Sequence, residues 1–132
     1  MSSSISPLRL LAIGALGYLL IALGQILVLE VMLGGQLAVD SPPTILVSAT
    51  LGTIVSGLVG GYVVARMGGA RPMLHVSIVL LVLTLDTIFV ITSHDGVNPL
   101  WFELGGAFTL LLATAGGGWL QSRSRRSEPA AT

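Results

Sequence analysis

The stretch Gly60-Gly61-Tyr62-Val63-Val64-Ala65-Arg66-Met67-Gly68-Gly69-Ala70-Arg71-Pro72-Met73-Leu74-His75 decides how this chain folds. An apolar segment ends in glycine, an aromatic residue and arginine. A turn of glycines and a second arginine follows, and Pro72, with its φ already near the helical value, opens another apolar segment. On one side of this turn Thr44 to about Ala65 is apolar, and on the other side Met73 to about Thr92. Each run matches the roughly 20 residues that an α-helix needs to cross a bilayer. The stretch is therefore the tip of a tight helical hairpin in a membrane.

Outward from that hairpin, Leu10 to about Leu33 forms a further apolar run, with Gln25 and Glu30 its only strongly polar members. It is too long for the hydrophobic region of a signal peptide and shows no clear small-residue cleavage site shortly after it, so it reads as a retained span. Gly34-Gly35 ends it, and Asp40-Ser41-Pro42-Pro43 stops one helix and starts the next. Towards the C-terminus, Ser93-His94-Asp95-Gly96-Val97-Asn98-Pro99 has Asp-Gly and Asn-Pro turn chemistry and leads to a fourth span, Leu100 to Leu120. Gln121 onwards is polar and is expected to be disordered. The fold expected is an all-α, four-transmembrane-helix bundle: one domain over residues 1–121 with spans at about 10–33, 44–65, 73–92 and 100–120, and a polar tail over 122–132.

Composition agrees. The 132 residues are 53% hydrophobic and 9% charged, against roughly 25% charged for a soluble domain, and the mean hydropathy is +0.93. A water-soluble monomer is excluded. The absence of cysteine excludes disulfides, thiolate metal sites and cysteine nucleophiles.

The formal net charge is zero, but the signs separate along the chain. Arg9, Arg66, Arg71, Arg123, Arg125 and Arg126 all fall on one side of a four-span arrangement, and the other two connectors hold no basic residue. Arginine in short loops is retained in the cytoplasm, so both termini and the middle loop are expected there. Arg66, Arg71, Arg123, Arg125 and Arg126 serve as topology anchors, and Trp101 and Trp119 mark the two headgroup levels of span four. Every acid except Glu128 lies in or beyond the opposite half.

The chain also matches itself. Gly60-Gly61-Tyr62-Val63-Val64-Ala65-Arg66 aligns with Gly117-Gly118-Trp119-Leu120-Gln121-Ser122-Arg123: glycine pair, aromatic, three residues, arginine. Pro43 and Pro99, and Glu30 and Asp86, then fall at nearly equal distances before the two glycine pairs. Two duplicated hairpins, parallel and related by an axis along the membrane normal, would give this pattern. So would two unrelated glycine-rich helices that happen to end alike.

Helices in lipid associate through close backbone approach at small residues. Span two carries Ser48, Gly52, Ser56 and Gly60 at four-residue spacing, with Ala49, Thr53, Gly57 and Gly61 beside them. Span four carries Gly105, Thr109, Ala113 and Gly117, widened by Gly106 and Gly116, and Gly14, Gly17 and Gly24 smooth one edge of span one. Gly52, Ser56, Gly57, Gly60, Gly61, Gly105, Ala113 and Gly117 are the packing residues expected, whether within one chain or across an oligomer.

Charged groups inside hydrocarbon cost about 2.5 to 3.5 kcal/mol on insertion scales. Asp86 stands out, roughly 9 Å below the outer surface at 1.5 Å per residue, too deep for so short a side chain to reach water. It requires a hydrogen-bonding Thr or Gln on a neighbouring helix, a water-filled vestibule, or protonation. Glu30 and Glu103 lie nearer the outer ends of their spans, Glu103 where the helix dipole favours a carboxylate. Gln25 should point about 140° away from Glu30 on an α-helix and bond to another helix. Asp86, Glu30 and Glu103 form the candidate intramembrane proton or cation site, with Asp40, His94 and Asp95 in the outer connectors. No spacing matches a defined metal motif.

No enzyme motif is present: no Walker loop, no dinucleotide fingerprint, no nucleophile elbow and no His-Glu-x-x-His pair. Neither an enzyme nor a cofactor is expected, and nucleic-acid binding has no basic surface to rest on.

The stretch from Gly60 to His75 resembles a pattern in small, uncharacterised bacterial four-span membrane proteins. In these a Gly-Tyr-Val-x-Ala-Arg segment ends span two, and a short basic loop leads to a histidine near the start of span three. The resemblance implies a bacterial inner-membrane protein and supplies no activity. Small multidrug-resistance transporters, of similar length and helix count, look different: their essential glutamate sits near the middle of the first span, whereas Glu30 is close to its outer end. The function expected is a non-catalytic packing, assembly or accessory subunit. Its partners would be the bilayer and either a second copy or another membrane protein. The alternative is a small proton- or cation-coupled transporter or channel acting as an oligomer.

Overall fold

A computed structural model describes residues 6–35, 37–94, 96 and 98–127. Among them are four helices and no strand. Helix α1 (Pro7–Ile26) runs into a π-helical turn (Leu27–Met32), followed by α2 (Pro43–Met67), α3 (Pro72–Thr92) and α4 (Leu100–Ser127). Each is long and apolar enough to cross a membrane. Large apolar side chains such as Leu11, Leu23, Val31, Phe89 and Leu112 face outwards, an arrangement that hydrocarbon, rather than water, solvates.

Helix starts follow local chemistry, with proline in the first turn of α1, α2 and α3 and Pro99 just before α4. Gly34 and Gly35 adopt left-handed φ values of 65° and 70°, and the Gly35 N–H donates to the Leu29 carbonyl at 2.8 Å. This closes the π turn as glycine closes a helix C-terminus. The fourth helix is longer than expected: residues 121–127, read as disordered tail, continue it. The Gln121 side chain is buried, Arg123 lies over the Trp119 ring at 4.7 Å, and the Arg125 guanidinium donates to the Gly69 carbonyl. These contacts tie down a segment that its polarity alone would leave loose.

The helices form a rhombus. Helix α2 contacts all three others, while α1 and α4 do not approach one another among the described residues. The two rows of small residues on α2 divide between two neighbours. On the first row Gly52, Ser56 and Gly60 meet Val28, Gly24 and Ile21 of the α1 arm; on the second, Gly57 and Gly61 meet Ala113, Thr114 and Gly118 of α4. Gly117 of α4 lies in turn against the Leu58 carbonyl. Gly14 and Gly17 of α1 receive Ile78 and Val79 of α3.

The matched glycine pairs do not pack alike. Gly60 faces α1 and Gly61 faces α4, so a two-fold relation would put Gly117 on α3 and Gly118 on α2. Instead Gly117 meets Leu58 of α2 and Gly118 meets Val76 of α3. The matching motif is thus packed with α4 turned about its own axis relative to α2.

Gly105 departs from expectation as well. A side chain added there, or at Gly106, would meet nothing within 4 Å. Helices α2 and α4 are in contact through Gly57, Gly61 and Gly117 and diverge towards Gly105, where Leu37, Trp101 and Phe102 fill part of the opening. The core lies in the closed half, at Ile13, Ile21, Val64, Ala65, Val76, Val79 and Leu83.

Candidate functional site

Where the helices spread, at the end opposite the arginines, they enclose a cavity of about 430 Å³. Glu30 from the π turn, Asp86 from α3 and Glu103 from α4 all line it. The three acids singled out from the sequence therefore share one chamber. Gln25, Thr53, Thr87 and Asn98 add polar groups; Leu29, Leu37, Val90, Ile91 and Phe102 make most of the wall. Leu83, Leu110 and Leu111 line the cavity while packing on the core, so they form its floor.

The π turn explains how Glu30 and Gln25 come to share the site. On a continuous α-helix five residues place them on different faces. A π-helix bonds residues five apart and so takes more residues per turn, which brings Glu30 back towards the face that Gln25 occupies. The expected separation of 140° is corrected for that reason. The signal in the sequence was the five-residue spacing of two polar residues in an apolar run. Gln25 does bond to another helix: its Oε1 accepts from the Thr53 hydroxyl at 3.3 Å. Its Nε2 is buried without a partner among the described residues.

Asp86 opens to the cavity and is exposed there. Its neighbour is the Tyr18 phenol of α1. Of the three arrangements expected for it, Asp86 takes the one that opens to a cavity, and no Thr hydroxyl or Gln amide is bonded to it among the described residues. Thr87 and Thr84 instead donate to carbonyls one turn back on α3, those of Leu83 and Leu80, as hydroxyls in apolar helices commonly do. Nothing in the sequence separated Tyr18 from the other large residues of its span.

Glu103 is paired: its Oε2 lies 2.9 Å from His94 Nδ1, both side chains being about a quarter exposed. This is the one ion pair among the described residues, and it joins the end of α3 to the start of α4. A second tie closes the same end, where the Val39 N–H donates to Asn98 Oδ1 at 3.1 Å. Asp95 lies outside the described residues, and Asp40 is exposed in its connector. No three of the described His, Asp and Glu residues stand close enough together to hold a metal ion.

The arginines occupy the opposite end, so no guanidinium neutralises the cavity. There His75 is buried, with Nδ1–H donating to the Arg71 carbonyl at 3.0 Å. That bond assigns the tautomer and leaves Nε2 as an acceptor.

The chain matches no family model, no curated protein and no solved structure. The four-helix bundle of membrane-spanning length, with its acidic chamber at one end, thus defines the class of protein: a small multi-pass membrane protein.

Proposed function

We propose that the acidic chamber is the working site, and that the protein is a small transporter taking a proton or a cation from the side to which the chamber opens. The observation that carries this is the convergence of Glu30, Asp86 and Glu103, from three separate segments, on one cavity that no arginine reaches. Intramembrane acids of this kind mark ion pathways and proton relays; Glu103 is held by His94, and Asp86 and Glu30 are in no ion pair among the described residues. Asp86 is the titrating group, Tyr18 the phenol beside it, and Glu30 and Glu103 line the approach. The packed floor of Leu83 and the core beneath it, with Val64, Val76 and Val79 nearly inaccessible, favours alternating exposure over an open pore.

In this reading the arginine end is cytoplasmic, the membrane is a bacterial inner membrane, and neither cofactor nor nucleic acid takes part. The protein is not an enzyme. Reconstitution into pyranine-loaded vesicles under a potassium diffusion potential tests it. Wild type should acidify the lumen, and Asp86→Asn, folded by circular dichroism, should not; a folded variant with undiminished flux sinks the proposal.

A second reading, a packing or accessory subunit, is favoured by the exposed Gly105 and Gly106, where an added side chain would meet nothing within 4 Å among the described residues. It predicts no flux in either protein, and a partner helix cross-linking to a cysteine placed at Gly105.

A further inference from the structure

At the arginine end, the turn between α2 and α3 and the last turns of α4 enclose a second cavity, of about 380 Å³. Arg71, Arg125, Arg126 and Ser122 line it, together with Met73 and Leu74 in the first turn of α3. No acidic side chain lies within 4 Å of these guanidiniums among the described residues, the sole ion pair being at the far end of the bundle. Arg125 donates to the Gly69 carbonyl, which holds α4 against the turn and keeps three like charges around one space.

The backbone adds to the same field. Helix α3 begins at Pro72 with no side-chain cap, so its first-turn N–H groups lack intrahelical acceptors and carry the positive end of the helix dipole. The Arg71 carbonyl is already engaged by the His75 ring. Guanidinium forks and free N–H groups are together the chemistry that holds a phosphate; the Ser122 hydroxyl is already donated to the Trp119 carbonyl. The depth also suits a phosphate: Ser122, which lines the cavity, lies three residues beyond Trp119, roughly 4.5 Å along the helix, and tryptophan favours the headgroup level.

We propose that this cavity binds the phosphate of an anionic phospholipid in the leaflet at the arginine end. Arg71 and Arg126 contribute charge, the first turn of α3 its N–H groups, and Arg125 holds the cavity together. Arg123 is a built-in comparison: it carries the same charge on the same helix but lies over Trp119 and does not line the cavity.

The full chain, purified in a neutral detergent, is titrated with phosphatidylglycerol, with phosphatidylcholine and with inorganic phosphate, and bound lipid is counted by native mass spectrometry. Phosphatidylglycerol should bind saturably at one molecule per chain, and phosphatidylcholine much more weakly. The Arg71→Gln/Arg126→Gln variant should lose about thirtyfold in affinity, two arginines at the headgroup surface being removed. Arg123→Gln should retain wild-type affinity. Equal losses in both variants would mean diffuse attraction by charge and overturn the proposal. Competition by millimolar inorganic phosphate would overturn the lipid assignment in favour of a soluble ligand. Should the double variant fail to fold, Arg126→Gln alone, expected to lose about fivefold in affinity, is the second measurement, and unchanged affinity there overturns the proposal equally.

Discussion

Gly61 of α2 stands directly against the backbone carbonyl of Thr114 of α4, with no room between them for a side chain. A methyl group at this position would fall on the carbonyl oxygen and carbon of Thr114 and close to the Gly118 nitrogen. These are backbone atoms of a packed helix and cannot turn aside as a side chain would.

Gly61→Ala, and Gly117→Ala against the Leu58 carbonyl, should therefore each destabilise the bundle by about 1–3 kcal/mol through overpacking. Gly105→Ala and Gly106→Ala meet nothing and should be neutral or stabilising by up to about 1 kcal/mol, because alanine is the better helix former. Unfolding in mixed detergent micelles measures the contrast. Equal effects at all four positions would contradict the closed and open halves described for α2 and α4.

The Gln25–Thr53 bond predicts an ordering of variants. Thr53→Val removes the hydroxyl that Gln25 accepts from and leaves a buried amide whose Nε2 already lacks a partner. A cost of about 0.6 kcal/mol is expected, the average for such bonds within membranes. Adding Gln25→Met removes the stranded amide, so the double variant should recover part of that loss. A double variant less stable than Thr53→Val would contradict this arrangement.

Tyr18 and Asp86 should separate in a flux assay. Tyr18→Phe removes the phenolic hydroxyl beside the carboxylate while keeping the ring that packs on the core. It should preserve folding and slow proton entry without stopping it, whereas Asp86→Asn should stop it. Identical rates for Tyr18→Phe and wild type would leave the phenol a packing residue only.

The His94–Glu103 pair is partly exposed, and pairs of that kind couple by about 0.2–1 kcal/mol. A double-mutant cycle with His94→Gln and Glu103→Gln, read by thermal unfolding, should return a coupling in that range. A coupling of zero would mean that the pair adds nothing to the α3–α4 connection that it spans.

Topology can be read with reporters. A fusion after Arg126 should lie in the cytoplasm and one inserted near Asp95 on the far side. The reverse pattern would overturn the arginine argument for orientation.

What the sequence by itself determined is the bundle: four apolar runs, glycine and proline punctuation between them, and arginines at one end with acids at the other. Those features are one-dimensional, since hydropathy and charge bias act on each segment separately as it enters the bilayer. The glycine rows of α2 were legible for a similar reason, because four-residue spacing marks a face whatever that face touches. Only the tertiary structure decided which neighbour each row receives, that Gly105 receives none, and that α4 continues to Ser127. It also decided that Glu30, Asp86 and Glu103 share a chamber and that Tyr18 stands beside Asp86. Convergence depends on helix rotation, and a single π turn is enough to change the rotation of every residue beyond it. A pattern read at a constant 100° per residue cannot register that change.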